Sequence, residues 1–168
     1  PLKDIYAENF KIGVALNSHT INANYEDTVT RHFNSVTCEN EMKTDAVLRH
    51  SESKLGVKDD PAYVVTGFDR SEKIVEYCKK NGMEMRYHTL VWHAQTPDWF
   101  FRVDYDSKND YVDAETMKMR MRNYIFQVIE YYDTNHPELI YAIDVVNEAF
   151  NGNGKYSTTD YADNGWYQ

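Results

Sequence analysis

The sequence feature that most constrains the fold is a near-continuous apolar run, Ile140–Val146, which leads directly into Asn147 and Glu148. A short run rich in β-branched residues is typical of a parallel strand that is covered on both faces. Polar residues directly after such a strand lie at the rim where β/α folds place their chemistry. A carboxyl group buried or half-buried at that rim suits a general acid. The alternative is a strand-end glutamate that caps a helix or pairs with a lysine.

The residues before this run predict further strands and helices in alternation. Apolar patterning indicates strands at 11–16, 34–37 and 83–92, and helical periodicity indicates helices at 25–33, 69–80 and 114–134. In the second helix, Asp69 and Glu72 have the spacing of a capping box. The charged segment 50–64 is predicted to be a turn-rich surface excursion.

Strands that alternate with helices predict an α/β fold with a parallel sheet. Polar clusters follow each predicted strand and never precede it, which is the polarity of a (β/α)8 TIM barrel. A complete barrel needs about 250 residues, whereas this chain has 168. We therefore expect residues 1–168 to be the N-terminal half of a single barrel, supplying about the first four β/α units.

Composition excludes several classes of partner. The formal net charge of −9 argues against nucleic acid, and no apolar run approaches the length of about 18 residues that indicates a membrane span. No signal peptide is visible, and the chain opens at Pro1 rather than Met, so we expect a processed or excerpted sequence.

The cluster after the second predicted strand contains Glu39, Asn40 and Lys43. A carboxylate, an amide and an ammonium group together match sugar hydroxyls, which both donate and accept hydrogen bonds. The alternative is a solvated, charged turn.

The third strand ends in His88, Trp92 and His93, which raises the question of a metal site. If the strand persists, alternation places His88 and Trp92 on one face and His93 on the other, so the two histidines diverge. No His-Glu-x-x-His pattern occurs, and we predict no metal. Trp92 suits a stacking platform for a sugar ring, and the alternative is packing inside the barrel.

Together these segments resemble the family 10 glycoside hydrolases, the endo-1,4-β-xylanases. The resemblance extends along nearly the whole chain. The matching stretches are FNSVTCENEMKTDA (33–46), GFDRSEKIVEYCKKNGMEMRYHTLVWHAQTPDWF (67–100), IDVVNEAF (143–150) and NGWYQ (164–168).

The resemblance implies a role for each polar cluster. Glu148 corresponds to the acid/base carboxyl, and Asn147 to the residue that contacts the 2-hydroxyl of the sugar at the cleavage point. The other implied substrate-binding residues are Glu39, Asn40 and Lys43 on the glycone side, and His88, Trp92 and Gln95 beside the scissile bond. No cofactor is implied, because carboxylates carry both chemical steps of a retaining glycosidase.

Three positions depart from the family pattern. The family usually has Trp, Gly and Trp where this chain has Thr44, Tyr87 and Ile143. The first and third departures remove bulk close to the site and Tyr87 adds it, so an altered subsite preference is expected.

The resemblance also implies a missing group. The family's nucleophilic glutamate comes from a later Thr-Glu-x-Asp-like segment, which this sequence lacks. We therefore expect the isolated chain to be nearly inactive on xylan or xylo-oligosaccharides. A second half of the barrel, in the same gene product or in a separate chain, would complete it. The family mostly acts outside the cell, which implies a secreted protein. The alternative function is a non-catalytic, xylan-binding half-barrel.

Overall fold

The computed structural model describes residues 1–22, 25–150, 154, 165 and 166. Within these residues, four strands form one parallel sheet in the order β1-β2-β3-β4. Each strand pairs with the next strand along the chain, as in a (β/α)8 barrel. The strands are β1 Gly13–Leu16, β2 Ser35–Cys38, β3 Glu84–Val91 and β4 Ile140–Val146.

Helices occupy the connections between the strands. Single turns of 3-10 helix cover Thr20–Asn22, Asp98–Phe101 and Val103–Tyr105. The α-helices are α1 Leu2–Ile5, α2 Glu26–His32, α3 Thr44–Val47, α4 His50–Gly56, α5 Asp69–Lys80 and α6 Ala114–Asn135. None of the helices in the described part of the chain is long and apolar enough to cross a membrane.

The core lies between the sheet and the two longest helices. Met85 and Tyr87 of β3 are fully buried, as is Ile74 of α5. The rings of Tyr87 and Tyr132 of α6 meet edge to face, with their centroids 5.6 Å apart. The alternate residues of β3, including Arg86, lie on the opposite face of the sheet, which is the inner face of a barrel.

Strand β4 has the predicted bounds, but its side chains are not buried as predicted. No residue of this strand is buried, and Val145 and Val146 are 57% and 53% exposed. Among the described residues, β4 pairs only with β3, so it is an edge strand. The prediction that both faces of β4 are covered is therefore wrong for the residues described.

The prediction of a turn-rich excursion at 50–64 is also wrong in part, because this segment contains helix α4. Ser53 and Val57 on one side of the segment are buried, as is Val64. The hydroxyl of Ser53 accepts a hydrogen bond from the main-chain N–H of Val65 at 2.9 Å. Helix α4 buries a serine, Ser53, and leaves Leu55 83% exposed, so it shows no apolar period, and its charged residues suggested a loop.

Helix α5 begins at Asp69 as predicted, but it has no capping box. Phe68 occupies the N-cap position without a side-chain hydrogen bond. Asp69 instead forms an ion pair with Arg49, and Glu72 accepts a hydrogen bond from the Tyr131 hydroxyl. Tertiary partners have thus replaced the local bonds that the spacing predicted.

Candidate functional site

Polar side chains from four strand ends lie along one edge of the sheet, because the carboxyl ends of parallel strands point the same way. Asn17 follows β1, Glu39 and Asn40 follow β2, Trp92 follows β3 and Glu148 follows β4. The structure therefore places Glu39, Asn40, Trp92 and Glu148 at the rim, whereas His88 lies within β3.

Asn40, Lys43 and Gln95 form a closed triangle of hydrogen bonds at this rim. The Lys43 ammonium donates to Gln95 Oε1 at 2.7 Å and to Asn40 Oδ1 at 3.1 Å. The Gln95 amide also donates to Asn40 Oδ1, at 3.2 Å. Gln95 adopts a positive φ of 50°, which marks a tight turn after β3. The triangle holds a cation and two amides in fixed relative positions.

Trp92 links this triangle to Glu148. The Lys43 ammonium lies 5.0 Å from the centroid of the Trp92 ring, within the range of a cation–π interaction. The indole N–H of Trp92 donates to Glu148 Oε2 at 2.7 Å. Trp92 is thus a partner of the carboxylate as well as a flat surface beside it.

Glu148 lies in a turn with a φ of 51°, and its side chain is 53% exposed. His93 is a second contact, with its Nε2 atom 3.5 Å from Glu148 Oε2. The predicted divergence of His88 and His93 was conditional on a strand that persists to position 93, but β3 ends at Val91. The two histidines nevertheless contact different carboxylates, Asp144 and Glu148. The contact between His93 and Glu148 joins residues that follow β3 and β4, and it depends on the pairing of these two strands.

His88 belongs to a separate cluster on the inner face of the sheet. Its Nδ1 atom lies 3.0 Å from Asp144 Oδ2, and the His88–Thr89 peptide bond is cis. The Arg86 Nε–H donates to both oxygens of Asp144, at 2.9 and 3.0 Å. Hydrogen bonding from Arg86, assisted by His88, lowers the pKa of Asp144 below its usual value.

The sequence did not predict two members of these clusters, namely Asn17 at the rim and Asp144 on the inner face. The available signal for Asp144 was an acidic residue inside an apolar strand. Asn17 donates to Glu39 Oε2 at 2.7 Å, so Glu39 is held from the end of β1. The main-chain N–H of Asn147 donates to the Val91 carbonyl at 2.8 Å, which ties the ends of β3 and β4 together.

Two of the three departures from the family pattern, Thr44 and Tyr87, are buried. Thr44 is 1% exposed, and its hydroxyl donates to the Leu90 carbonyl at 3.3 Å. Tyr87 is fully buried and pairs in register with Ile143 on β4. Burial raises the pKa of the Tyr87 hydroxyl well above its usual value. Ile143, in contrast, is 37% exposed.

Within the described residues, no group of three or more His, Cys, Asp or Glu side chains is arranged to hold a metal ion. The rim offers carboxylate, amide, ammonium, imidazole and indole groups instead. These groups can bind hydroxylated ligands and transfer a proton.

Comparison with known proteins identifies the family of the chain. The sequence pattern of "Glycosyl hydrolase family 10" matches residues 1–168. Endo-1,4-beta-xylanase Y of Acetivibrio thermocellus is 40% identical over 150 residues, which are 88% of this chain and 13% of that protein. A putative endo-1,4-beta-xylanase of Caldicellulosiruptor saccharolyticus is 42% identical over 126 residues, which are 75% of this chain and 38% of that protein.

Solved structures show the same fold. The N-terminal endo-1,4-beta-D-xylanase 10B of Clostridium thermocellum, complexed with xylohexaose, superposes with a TM-score of 0.82 at 34% identity, over 95% of this chain and 34% of that one. A psychrophilic family 10 endo-beta-1,4-xylanase gives a TM-score of 0.75 at 32% identity, over 100% of this chain and 48% of that one. This chain thus spans less than half the length of these relatives. Its sheet and helices are part of a (β/α)8 barrel, and the chain belongs to glycosyl hydrolase family 10.

Proposed function

We propose that this chain is part of a retaining endo-1,4-β-xylanase that hydrolyses internal β-1,4-xylosidic bonds of xylan. Family membership and the names of the relatives support the substrate class. The observation that carries the proposal is the position of Glu148. It lies at the carboxyl end of β4 and accepts the Trp92 indole N–H at 2.7 Å.

In this proposal, Glu148 is the general acid and base. It protonates the glycosidic oxygen as the bond breaks, and later takes a proton from the attacking water. Trp92 and His93 both contact Oε2 of this carboxyl group. The Trp92 hydrogen bond, with His93 3.5 Å from the same oxygen, orients the carboxyl group so that its other oxygen can face the substrate.

The rest of the rim binds the sugar chain. Lys43, Asn40 and Glu39 supply a cation, an amide and a carboxylate for sugar hydroxyls, and Gln95 is bonded to the first two. Trp92 offers its ring for stacking, and His88 lies on the inner face below it. Asn147, next to Glu148 in the chain, is assigned to the 2-hydroxyl at the cleavage point.

A retaining mechanism also needs a nucleophile, with its carboxyl group about 5–5.5 Å from that of the acid/base. We assign this group to a segment outside this chain, in a second half of the barrel that covers β4. The exposed β4 side chains and the partial coverage of the xylanase structures support this assignment. The 168-residue chain alone is then nearly inactive, because a general acid without a nucleophile cannot form the glycosyl-enzyme intermediate.

We also propose that the complete enzyme acts outside the cell, because its substrate is a polymer. One similar structure, at 29% identity, is named an intracellular xylanase. Assay of xylan hydrolysis in the culture medium and in washed cells of the source organism distinguishes the two locations.

The test of the proposed function is Glu148→Gln in the complete enzyme. Loss of the proton donor should lower the cleavage of xylan by roughly 10²–10⁴-fold and leave the binding of xylo-oligosaccharides measurable by calorimetry. A 2,4-dinitrophenyl β-xylobioside, whose leaving group needs no proton, should still release a burst of dinitrophenol.

Glu130→Gln is the matched control, since Glu130 is an exposed glutamate on α6, away from the rim. It should retain activity on both substrates. Full xylan cleavage by Glu148→Gln would show that this carboxyl group is not the acid.

A further inference from the structure

Trp166 makes a contact with the site that the proposed function does not use. Its indole N–H donates to the Trp92 carbonyl oxygen at 3.0 Å and lies 3.3 Å from Thr96 Oγ1. The Thr96 hydroxyl also donates to the Trp92 carbonyl, at 2.9 Å. The main chain of Trp92 is therefore bonded by two side chains, one of them 74 positions further along the sequence.

Aromatic packing fixes the ring of Trp166 in this position. Its centroid lies 5.2 Å from that of Phe101, edge to face, and 5.8 Å from that of Phe100. Phe100 and Phe101 are buried. Gly165 is buried as well, and a Cβ atom at that position would overlap the Phe101 ring. The close approach of the Gly165 main chain to Phe101 thus brings the Trp166 indole to the Trp92 carbonyl.

These bonds fix the main chain of Trp92, while its side chain contacts Glu148. The carbonyl of Trp92 is fixed by Trp166 and Thr96, and its ring lies 5.0 Å from the Lys43 ammonium. Its indole N–H then reaches Glu148 at 2.7 Å. A shift in the Trp92 main chain would move that N–H relative to the carboxyl group, and small displacements of catalytic groups are costly.

We propose that Trp166 is a positioning residue for the acid/base machinery, and that it acts through the main chain of Trp92 on the orientation of Glu148. This inference rests on the proposed function. The competing explanation is that Trp166 only fills the aromatic cluster, and that its N–H bonds to the nearest carbonyl because buried indoles need an acceptor.

Trp166→Phe in the complete enzyme separates the two explanations, because it keeps an aromatic ring and removes the N–H. The readout is kcat/KM on xylan, whose glycosylation step needs proton donation, relative to the burst rate of dinitrophenol release from dinitrophenyl xylobioside, whose glycosylation step does not. If Trp166 positions Glu148, kcat/KM on xylan should fall about two- to tenfold, the value of one hydrogen bond. Release of dinitrophenol should stay within about twofold, because protonation makes little contribution to that step.

Trp99→Phe is the matched control. Trp99 packs in the same aromatic region, against His50 and Tyr105, and its ring makes no hydrogen bond to Trp92 among the described residues. This variant should leave the ratio of the two rates unchanged. Benzothienylalanine at position 166 has the shape of tryptophan without the N–H donor, and it provides the test if Trp166→Phe folds poorly. It should reproduce the selective loss with an unchanged melting temperature.

An equal loss on both substrates, or no loss in the folded benzothienylalanine variant, would overturn the inference. Glu148→Gln is assayed in parallel. If that variant is inert on xylan while the position-166 variants have the wild-type ratio, the inference fails and the proposed function stands. If Glu148→Gln keeps full activity on xylan, the proposed function is wrong, and this inference, which rests on it, is wrong as well.

Discussion

Asp144 shows how much a single side chain contributes to the inner face of the sheet. Arg86 and His88, both on β3, bond to this one carboxylate on β4. The side chain of Asp144 is 23% exposed, so the ion pair is partly shielded from water. It joins the two strands beneath the rim that holds Glu148.

The lowered pKa of Asp144 predicts a specific dependence of stability on pH. Because the pKa is lower in the folded state than its unfolded value of about 3.9, the unfolded state binds more protons across that interval. Stability therefore rises with pH through the interval and is lost as pH falls below about 4.

Asp144→Asn should lower the stability of the complete enzyme at pH 7 and flatten this part of the pH profile. Urea unfolding at several pH values between 3 and 7 measures both effects. Asp133→Asn, which changes an exposed aspartate on α6, is the control and should keep the wild-type slope. An equal loss of stability for Asp144→Asn at every pH would contradict the assignment.

Among the secondary-structure elements, those with a long, uninterrupted apolar pattern were predicted most accurately. Helix α6 was predicted at 114–134 and covers Ala114–Asn135, and β4 has its predicted bounds. Helix α4 was missed because its buried residue is Ser53 and its Leu55 is 83% exposed, so it has no apolar stripe. The apolar run itself predicted a covered strand. The exposure of β4 agrees instead with the expectation that residues 1–168 form half of a barrel, in which an end strand lacks one neighbour.

For the candidate site, too, local features could be predicted from the sequence, whereas contacts between elements could not. Polar residues after strands were identifiable one strand at a time, and Asn40, Lys43, Gln95 and Trp92 do form a connected network. The direction of the His93 side chain could not be predicted, because alternation applies only as far as the end of β3 at Val91. Such contacts between elements depend on register and on turns, which local patterns leave open.

The pairing of β3 with β4 gives a physical reason for two departures from the family pattern. Tyr87 and Ile143 are partners in register, at positions where the family usually has Gly and Trp. The large ring has thus moved from one strand to its neighbour, and Tyr87 packs against Tyr132 of α6. We interpret this exchange as compensation of core volume.

A double-mutant cycle tests this compensation. Tyr87→Gly should destabilise the complete enzyme by about 3–5 kcal/mol, as truncations of buried aromatic residues do. Ile143 is 37% exposed, so Ile143→Trp alone should change stability by less than about 1 kcal/mol. The double variant should be more stable than the sum of the two losses, as measured by urea unfolding. Simple additivity would show that the two sites do not share a volume.

For the whole molecule, the unpaired edges of the sheet determine the expected behaviour of the isolated chain. Within the described residues, β1 and β4 each pair with one strand only. The exposed Val145 and Val146 lie on β4. Unpaired strand edges with apolar side chains promote association between chains.

The isolated 168-residue chain should therefore associate in solution. Light scattering after size exclusion should give a mass well above the 19.8 kDa of one chain. Val145→Lys with Val146→Lys should lower that mass, because charged side chains oppose pairing at an edge. Leu55→Lys is the control, since Leu55 is 83% exposed on α4, and it should leave the mass unchanged. A folded monomer of 19.8 kDa at micromolar concentration would instead indicate an autonomous half-barrel. It would favour a xylan-binding function over a catalytic one.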